Sequence, residues 1–320
     1  MTGLATGLAT DFAIDVRGLS KTFGDKTAVD SVDIQMPKGE VWGFLGPNGS
    51  GKTTTIRMIC GLLLPSAGEG TCLGLDIRTD GDLIRRRTGY MTQKFSFWTD
   101  LTIRENLEFV ARIYEMDDRK AVVDRTLEQL GLTQRQNQLA EALSGGWKQR
   151  LALAAVTMHG PDLLLLDEPT AGVDPQARRD FWDEIHRLSN AGLTVLVSTH
   201  YMDEAERCDR IVYLAHGAII ARGRVSSIIE RAAIKTIRIG DDGARRFQSR
   251  LRSAPGVEHV AYFGAALHVS GPDEAALADA GLALTGQAPI TPLTVADIQA
   301  LLTPGEVLVT FLLPGLKPDA

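Results

Sequence analysis

A glycine-rich stretch in the first third of the chain has the residue types and spacing of a phosphate-binding loop. It reads Gly46-Pro47-Asn48-Gly49-Ser50-Gly51-Lys52-Thr53 and fits the pattern G-x-x-x-x-G-K-[ST] at every fixed position. Its glycines let backbone N–H groups come close to phosphate oxygens, and a following helix would add the positive end of its dipole. We therefore expect this stretch, with Thr54 directly after it, to bind the phosphates of a nucleotide.

Four charged or polar side chains could bind the phosphates and Mg²⁺ and promote attack of water on the γ-phosphate. Lys52 would add positive charge to the β- and γ-phosphates, and Thr53 would offer its hydroxyl to Mg²⁺. Asp167 and Glu168 follow four consecutive leucines, so they end a short buried strand. Asp167 is predicted to hold Mg²⁺, and Glu168 to orient or deprotonate the water that attacks the γ-phosphate. A solvated strand end would explain an isolated acidic pair, but this pair occurs together with the loop.

Two further residues have both a functional and an ordinary explanation. His200 follows the next apolar run, where it could contact the γ-phosphate or serve a purely structural purpose. Phe23 lies just before a turn at Gly24-Asp25, where its ring could stack on a purine base or pack within a strand. Taken alone, strand packing is favoured for Phe23.

The order of the predicted elements is that of an α/β protein with a mixed sheet. Short apolar or alternating runs predict strands at 13–16, 32–36, 41–45, 70–73, 89–93, 163–166, 193–197, 211–214 and 218–221. Helices are predicted at 54–59, 146–158 and 175–188. The first two strands are antiparallel candidates, whereas the continuously apolar later strands are typical of a parallel sheet covered on both faces.

A helical insert is expected at about 94–142, between two parts of this α/β pattern. Thr102 and Glu105 form a capping-box pattern at the start of its first helix, and a second helix is predicted at 118–130, ending at Gly131. One face of the first helix carries Ile103, Leu107, Val110 and Tyr114.

Composition restricts the possible partners and the compartment. The 320 residues are 44% apolar and carry a net charge of −6, which predicts folded domains and gives no basic footprint for nucleic acid. Three cysteines show no disulfide or zinc spacing: Cys60, Cys72 and Cys208. Neither a signal peptide nor a window long and apolar enough to span a bilayer is recognised, so a cytoplasmic location is expected.

These motifs, in this order, resemble those of the ATP-binding subunits of ATP-binding cassette (ABC) transporters, and the resemblance covers about residues 14–223. The matching segments are the phosphate loop, Gln93 as the Q-loop, Leu143-Ser144-Gly145-Gly146 as the signature, Ala171-Gly172-Val173-Asp174 as the D-loop, and His200 as the switch histidine. Phe23 falls at the position of the family's adenine-stacking aromatic residue. The fold implied is a P-loop ABC ATPase cassette with a mixed sheet, an antiparallel subdomain and a helical insert.

The family's mechanism implies further roles for these residues. Two subunits, as a homodimer or a paired cassette, would bind each ATP between one phosphate loop and the partner's signature, and would drive a separate integral membrane permease. Nucleotide contacts are then expected from Ser144, Gly145, Gly146 and Asp174, and contacts of Gln93 with Mg²⁺ and the attacking water. Ser144 to Gly146 can also offer a hydroxyl, N–H groups and a helix dipole to an anion. The family usually has glutamine where this chain has Trp147.

The predicted organisation is a cassette at 11–224 and a small C-terminal α+β domain at 225–320. Strands are expected at 236–239 and 267–269, helices at 244–251, 273–282 and 295–302, and a further strand at 307–313. Accessory domains of this size resemble those of drug- and antibiotic-resistance exporters, which would be peripheral on the inner face of the cell membrane. The alternatives are a soluble ABC ATPase acting on DNA or ribosomes and, less favoured, an unrelated phosphate-loop kinase.

An aromatic cluster directly after Gln93 is the predicted docking surface for the permease. Phe95, Phe97 and Trp98 place three large rings within four positions, which is unusual for a loop. The alternative is that the rings form a satellite core beneath the following helix.

Overall fold

The computed structural model describes residues 11–93, 97–232, 234–240, 247–263, 266–285 and 290–293. The chain divides into two compact units, of which the first comprises residues 1–200 and 204–222 and the second comprises residues 201–203 and 223–320. Compactness alone does not test independent folding, so the division into domains at 224/225 stays a prediction.

The strands of the described residues are numbered in chain order. They are β1 (Phe12–Phe23), β2 (Lys26–Pro37), β3 (Val41–Leu45), β4 (Ala67–Cys72), β5 (Leu75–Asp76), β6 (Thr88–Met91), β7 (Leu163–Asp167), β8 (Thr194–Thr199), β9 (Arg210–Ala215), β10 (Ala218–Gly223), β11 (Lys235–Gly240), β12 (His259–Phe263), β13 (Ala266–Gly271) and β14 (Ile290–Leu293).

The α-helices are numbered in the same way. They are α1 (Lys52–Ile59), α2 (Gly81–Arg87), α3 (Ile103–Ile113), α4 (Arg119–Gln129), α5 (Gly145–Thr157), α6 (Pro175–Asn190), α7 (Met202–Ala205), α8 (Val225–Ala232), α9 (Gln248–Arg252) and α10 (Glu274–Thr285).

An antiparallel sheet with the order β2-β1-β4-β5 forms one layer of the first unit. The predicted strands 13–16 and 32–36 lie inside β1 and β2, which are each 12 residues long and pair on either side of the predicted turn at Gly24-Asp25. Buried and exposed residues alternate from Val32 to Met36 in β2, and in β1 the buried Ile14 and Val16 flank the partly exposed Asp15, which is why a period of two was visible in the sequence.

A six-stranded sheet with the order β10-β9-β3-β8-β7-β6 carries the residues assigned to chemistry. Strands β9, β3, β8, β7 and β6 run parallel to one another, and every residue of β3, β7 and β8 is buried. Because parallel strands end at the same edge, the residues that follow β3, β6, β7 and β8 are brought together there.

The helical insert forms a core of its own together with α5. Thr102 caps α3, and both hydrogen bonds of the predicted capping box are present between Thr102 and Glu105. Helices α3 and α4 bury apolar residues against Leu143 and Leu151, which lie before and within α5. The signature segment therefore belongs to the same packed body as the insert, although it lies beyond the predicted boundary at 142.

The second unit is a small α+β module. Its antiparallel sheet has the order β12-β13-β11-β14, and Leu251 of α9 and Leu277 of α10 bury against it. The predicted strands 236–239 and 267–269 lie inside β11 and β13. The predicted helix 273–282 corresponds to α10 and the end of 244–251 to the start of α9. The predicted helix 295–302 and strand 307–313 lie outside the described residues.

In the described parts of the chain, no helix combines the length and the apolar character needed to cross a lipid bilayer.

Candidate functional site

The phosphate loop connects β3 to α1, and its glycines are required by close backbone packing. Gly46 and Gly51 have φ values of 149° and 105°, which side-chain-bearing residues rarely adopt. A Cβ atom at Gly46 would lie 2.0 Å from the carbonyl oxygen of Leu214, and one at Gly51 would lie 2.5 Å from that of Ala28. The chain can therefore wrap into this tight loop only with glycine at both positions.

Lys52 lies inside the loop rather than on the protein surface. Its side chain is 4% exposed, and its ammonium group donates hydrogen bonds to the carbonyl oxygens of Gly46 (2.7 Å) and Pro47 (3.1 Å). Burial lowers the pKa of Lys52, and the nearby charges of Glu168 and Asp167 oppose that shift. The ammonium group is thus poised within the loop, and an incoming anion can replace the carbonyl oxygens as its partner.

The other residues of the loop also fit an anion. Pro47, Asn48 and Gly49 are exposed at its tip. Ser50 is buried, and its hydroxyl has no hydrogen-bond partner among the described residues. A buried, unsatisfied hydroxyl is costly, so a ligand that accepts a hydrogen bond would be favourable here.

The predicted magnesium-binding residues begin a helix and end a strand. Thr53 and Thr54 are half-buried in the first turn of α1, and Asp167 is the last residue of β7. A threonine hydroxyl and a carboxylate are hard oxygen ligands of the kind that Mg²⁺ prefers.

Ser198, which the sequence analysis did not identify, orients the acidic pair. Its hydroxyl donates to Oδ1 of Asp167 (2.6 Å) and accepts a hydrogen bond from the backbone N–H of Glu168 (3.0 Å). The parallel register pairs Asp167 with Ser198 across β7 and β8. Ser198 on the adjacent strand therefore holds the carboxylate of Asp167 and the backbone of Glu168 in fixed positions.

Glu168 is the centre of the site. The amide of Gln93 donates to its Oε2 (3.0 Å), Nδ1 of His200 lies 3.2 Å from the same oxygen, and Nζ of Lys52 lies 3.5 Å from Oε1. Glu168 itself has a φ of +47°, a strained conformation for this residue that the surrounding structure must maintain. Three residues that were assigned to nucleotide chemistry from separate motifs thus meet around the carboxylate of Glu168.

The signature residues lie at the start of α5. Ser144 occupies the N-cap position without capping the helix through its side chain, and Ser144 and Gly145 are both exposed. A Cβ atom at Gly146 would lie 2.7 Å from that of Ala177, so this glycine allows α5 and α6 to approach closely. The structure does not bring Ser144 and Gly145 into hydrogen-bonding contact with the group around Glu168 in the described part of this chain. The N-terminus of α5 is therefore exposed and could bind a ligand held by another molecule.

Trp147, which stands where the family usually has glutamine, packs within the fold. It is half-buried against the core of the helical insert, and the guanidinium groups of Arg150 and Arg135 lie 4.8 Å and 5.8 Å from its ring centroid. These are cation–π distances, so the ring links α5 to a neighbouring segment. The exposed N-terminus of α5 remains accessible beside it.

In the described part of the chain, Asp174 and Phe23 form no hydrogen bond or ion pair with Glu168. The carboxylate of Asp174 caps α6, accepting from the N–H groups of Gln176 (3.1 Å) and Ala177 (3.0 Å). Its assignment to nucleotide binding stays a prediction, and the structure adds this local role. Phe23 is 51% exposed at the end of β1, which fits a stacking surface better than strand packing.

The aromatic cluster after Gln93 is only partly a surface feature. Phe97 is half-buried and packs against the core of the helical insert, as in the alternative in which the rings form a satellite core. Trp98 is 46% exposed and touches Phe109 edge to face, with 4.2 Å between the ring centroids. Phe95 lies outside the described residues. Trp98 is therefore the exposed ring of this cluster in the part that the structure describes.

The chain is similar to several known proteins. A family model described as ABC transporter matches residues 29–171. The probable multidrug ABC transporter ATP-binding protein YbhF of Escherichia coli is 43% identical over 229 residues, which are 71% of this chain and 40% of that protein. The daunorubicin/doxorubicin resistance ATP-binding protein DrrA of Streptomyces peucetius is 38% identical over 247 residues, which are 76% of this chain and 75% of that protein. The chain thus spans less than half the length of YbhF.

A solved structure shows the same fold. It is a dimeric ATP-binding cassette in a post-hydrolysis state, bound to ADP and Pi, and it is 28% identical with a TM-score of 0.60. The match covers 66% of this chain and 98% of that one. The resemblance and the mixed α/β cassette fold predicted from the sequence are confirmed. The chain belongs to the ABC transporter family, and it contains that family's ATP-binding cassette, which is an ATPase module.

Proposed function

We propose that the protein is the ATP-hydrolysing subunit of an exporter and that ATP-dependent pairing of two cassettes drives a separate membrane permease. The observation that carries the proposal is the meeting of Lys52, Gln93 and His200 around Glu168, beside the phosphate loop. The protein would then be cytoplasmic and peripheral on the inner face of the cell membrane.

Each part of the site has a task in this proposal. The N–H groups of the loop and the ammonium group of Lys52 bind the phosphates, and Phe23 stacks on the adenine. Glu168 orients the attacking water and accepts its proton, which requires the carboxylate to be ionised. Gln93 and His200 hold that carboxylate in place, and His200 contacts the γ-phosphate. Most of the catalysis is then positioning and electrostatic stabilisation.

The residues present also fit Mg²⁺. Thr53 and Asp167 would hold it, with the side-chain oxygen of Gln93 at the same strand edge. When bound, the ion would neutralise phosphate charge that otherwise repels the attacking oxygen. Ser198 keeps one oxygen of Asp167 engaged at 2.6 Å, so the carboxylate presents itself in a fixed direction.

A second copy of the cassette would complete the site. The exposed N-terminus of α5, with Ser144, Gly145 and Gly146, provides N–H groups and a dipole for the γ-phosphate of an ATP bound to the partner. The dimeric relative of known structure supports such pairing. Asp174 is the N-cap residue of α6, whose Ala177 lies against Gly146, and we propose that it lies at the same interface.

Export is supported by the relatives, whose names refer to multidrug transport and to daunorubicin and doxorubicin resistance. The alternative of a cassette ATPase acting on DNA or ribosomes receives no support from the charge, because a net charge of −6 provides no basic footprint. We propose no nucleic acid partner. The C-terminal domain, 225–320, is proposed to be an accessory module, because every residue assigned to the ATP site precedes it in the sequence.

Release of inorganic phosphate from ATP by the purified protein tests the proposal. We expect release that depends on Mg²⁺ and stops when the ion is chelated, because Asp167 and Thr53 offer ligands suited to it. The same samples should be assayed for binding of a fluorescent ATP analogue. Failure of the folded protein to bind or hydrolyse ATP would contradict the proposal.

Trp98 is the proposed contact with the permease. Replacing it with serine is expected to leave ATP binding by the isolated subunit within about twofold, as for other surface substitutions. The same change should weaken co-purification with the permease, because a large exposed ring is lost from the contact. The measurement is the amount of permease retained by the tagged subunit after detergent extraction.

Ile113→Ser is the matched control, since Ile113 is an exposed apolar residue (59%) at the end of α3. It should retain the permease as the unmodified subunit does. Normal retention by the Trp98 variant would place the docking surface elsewhere, and unfolding of that variant would show that the ring belongs to the core.

A further inference from the structure

Glu204 is a fully buried carboxylate beside the site that the proposed mechanism does not use. Its exposed fraction is 0%, and it follows His200 by four residues. A buried charge is unfavourable unless it is paired and hydrogen-bonded. Here Oε1 accepts a hydrogen bond from the hydroxyl of Thr170, and Nε of Arg178 lies 3.6 Å from the same oxygen.

The three members of this cluster come from three segments that each carry a residue of the site. Thr170 lies two residues after Glu168, in the tight turn that follows β7. Arg178 lies in the first turn of α6, and the remaining member, Glu204, follows the end of β8. The cluster therefore connects the chain around the proposed base with the chain around the switch histidine.

The geometry at Glu168 needs such support. Its φ of +47° is held by a turn in which the N–H of Ala171 donates to the carbonyl of Glu168 (3.2 Å) and the N–H of Val173 donates to that of Thr170 (3.2 Å). The 3.2 Å distance between Glu168 and His200 joins residues on two different segments. A displacement of one segment by an ångström would break it.

We infer that Glu204 is a positioning residue that, through Thr170 and Arg178, fixes the turn carrying Glu168 relative to the segment carrying His200 and to α6. Glu204 itself touches neither nucleotide nor water. The inference rests on the proposed function, since it assigns Glu204 a purpose only if Glu168 and His200 act in hydrolysis.

If the cluster only stabilised the fold, its removal would change different measured quantities. Buried ion pairs contribute little net stability, and removing one partner mainly leaves an unpaired charge that destabilises the fold. Such a loss lowers the unfolding temperature but leaves the turnover number of the folded protein unchanged. A positioning cluster instead lowers kcat with little change in KM for ATP, because the nucleotide is still bound by the phosphate loop.

Two substitutions test the cluster, one by removing the charge of Glu204 and the other by removing the hydroxyl of Thr170. Glu204→Gln keeps the shape and an acceptor for Thr170 but removes the charge that faces Arg178. Thr170→Val removes only the hydroxyl and leaves the charge pair intact. We expect each to lower kcat by about tenfold while KM for MgATP stays within about threefold, and the double variant to be no more than slightly worse than either single one. Thr170→Ser keeps the hydroxyl and should retain the unmodified kcat.

The matched control is Glu184→Gln. It makes the same chemical change in α6, the helix that carries Arg178, but at a more exposed ion pair. Glu184 accepts two hydrogen bonds from Arg187, at 2.8 Å and 2.6 Å. This pair is more exposed than the Glu204 pair, and the control should keep both kcat and KM. All variants are assayed at least ten degrees below the unfolding midpoints measured by circular dichroism.

An unchanged kcat in folded Thr170→Val and Glu204→Gln proteins would overturn the inference. If Glu204→Gln does not fold, Thr170→Val and Thr170→Ser decide alone, since they leave the buried charges paired. Glu168→Gln is assayed in parallel. Loss of hydrolysis in that variant combined with normal turnover in the Thr170 and Glu204 variants rejects only the inference, whereas normal hydrolysis by Glu168→Gln rejects the proposed function.

Discussion

Replacing Glu168 by glutamine is expected to lower the rate of ATP hydrolysis by at least about 100-fold, which is the usual contribution of a general base. The amide keeps the size of the side chain and can still contact Gln93 and His200, but it cannot accept a proton. ATP affinity should stay within about threefold, because the phosphate loop is unchanged. Steady-state phosphate release and equilibrium binding of ATP measure the two quantities.

The control for this variant is again Glu184→Gln, which makes the same chemical change on the outer face of α6. It should hydrolyse ATP at the unmodified rate. Hydrolysis by the Glu168 variant within a few-fold of the unmodified rate would remove Glu168 from its assigned role.

A large effect is also expected at the signature, where Ser144→Arg should reduce hydrolysis by about 100-fold or more. The bulky side chain would fill the open end of α5, where we propose that the partner's γ-phosphate binds. Binding of ATP to the variant's own loop should be preserved, because Ser144 forms no hydrogen bond with that loop among the described residues. Ser249→Arg, at an exposed serine of the second unit, is the control for the added charge and size.

Mixing Ser144→Arg with Lys52→Ala protein makes the test specific for a shared site. A mixed dimer has one site in which an intact loop faces an intact signature. Since half of the randomly formed dimers are mixed, up to about a quarter of the unmodified hydrolysis should return if the two sites act independently. No recovery of hydrolysis, together with no ATP-dependent mixed dimer, would contradict the shared site.

The parts of the site that are local in sequence could be predicted, because their chemistry depends on spacing along the chain. The phosphate loop, the acidic pair after β7 and the capping box at Thr102 are of this kind. The parallel strands were also visible, since a strand covered on both faces must be apolar throughout.

The parts that depend on register between distant segments could not be predicted. Ser198 looks like an ordinary polar residue near the end of an apolar strand, and only the pairing of β7 with β8 places it beside Asp167. Glu204 looks like one of several acidic residues after His200, yet folding buries it completely against Thr170 and Arg178. Such clusters have no signature in a single sequence.

Aromatic residues show a similar limit in the helical insert. Composition alone favoured exposure of the rings after Gln93, whereas the core built by α3, α4 and α5 takes up Phe97 and leaves Trp98 at the surface. In the second unit, β12 and β14 were not predicted from the sequence. β14 contains Pro292, a residue type that counts against a strand when a sequence is read.

Two copies of this chain are proposed to enclose ATP between the phosphate loop of one and the signature of the other. Light scattering of the Glu168→Gln protein in MgATP and in MgADP tests this pairing, because the variant should bind ATP without consuming it. We expect a mass of twice the 34.6 kDa of one chain in ATP and of one chain in ADP. A mass of one chain in saturating ATP, at protein concentrations well above those used to measure hydrolysis, would rule out the pairing.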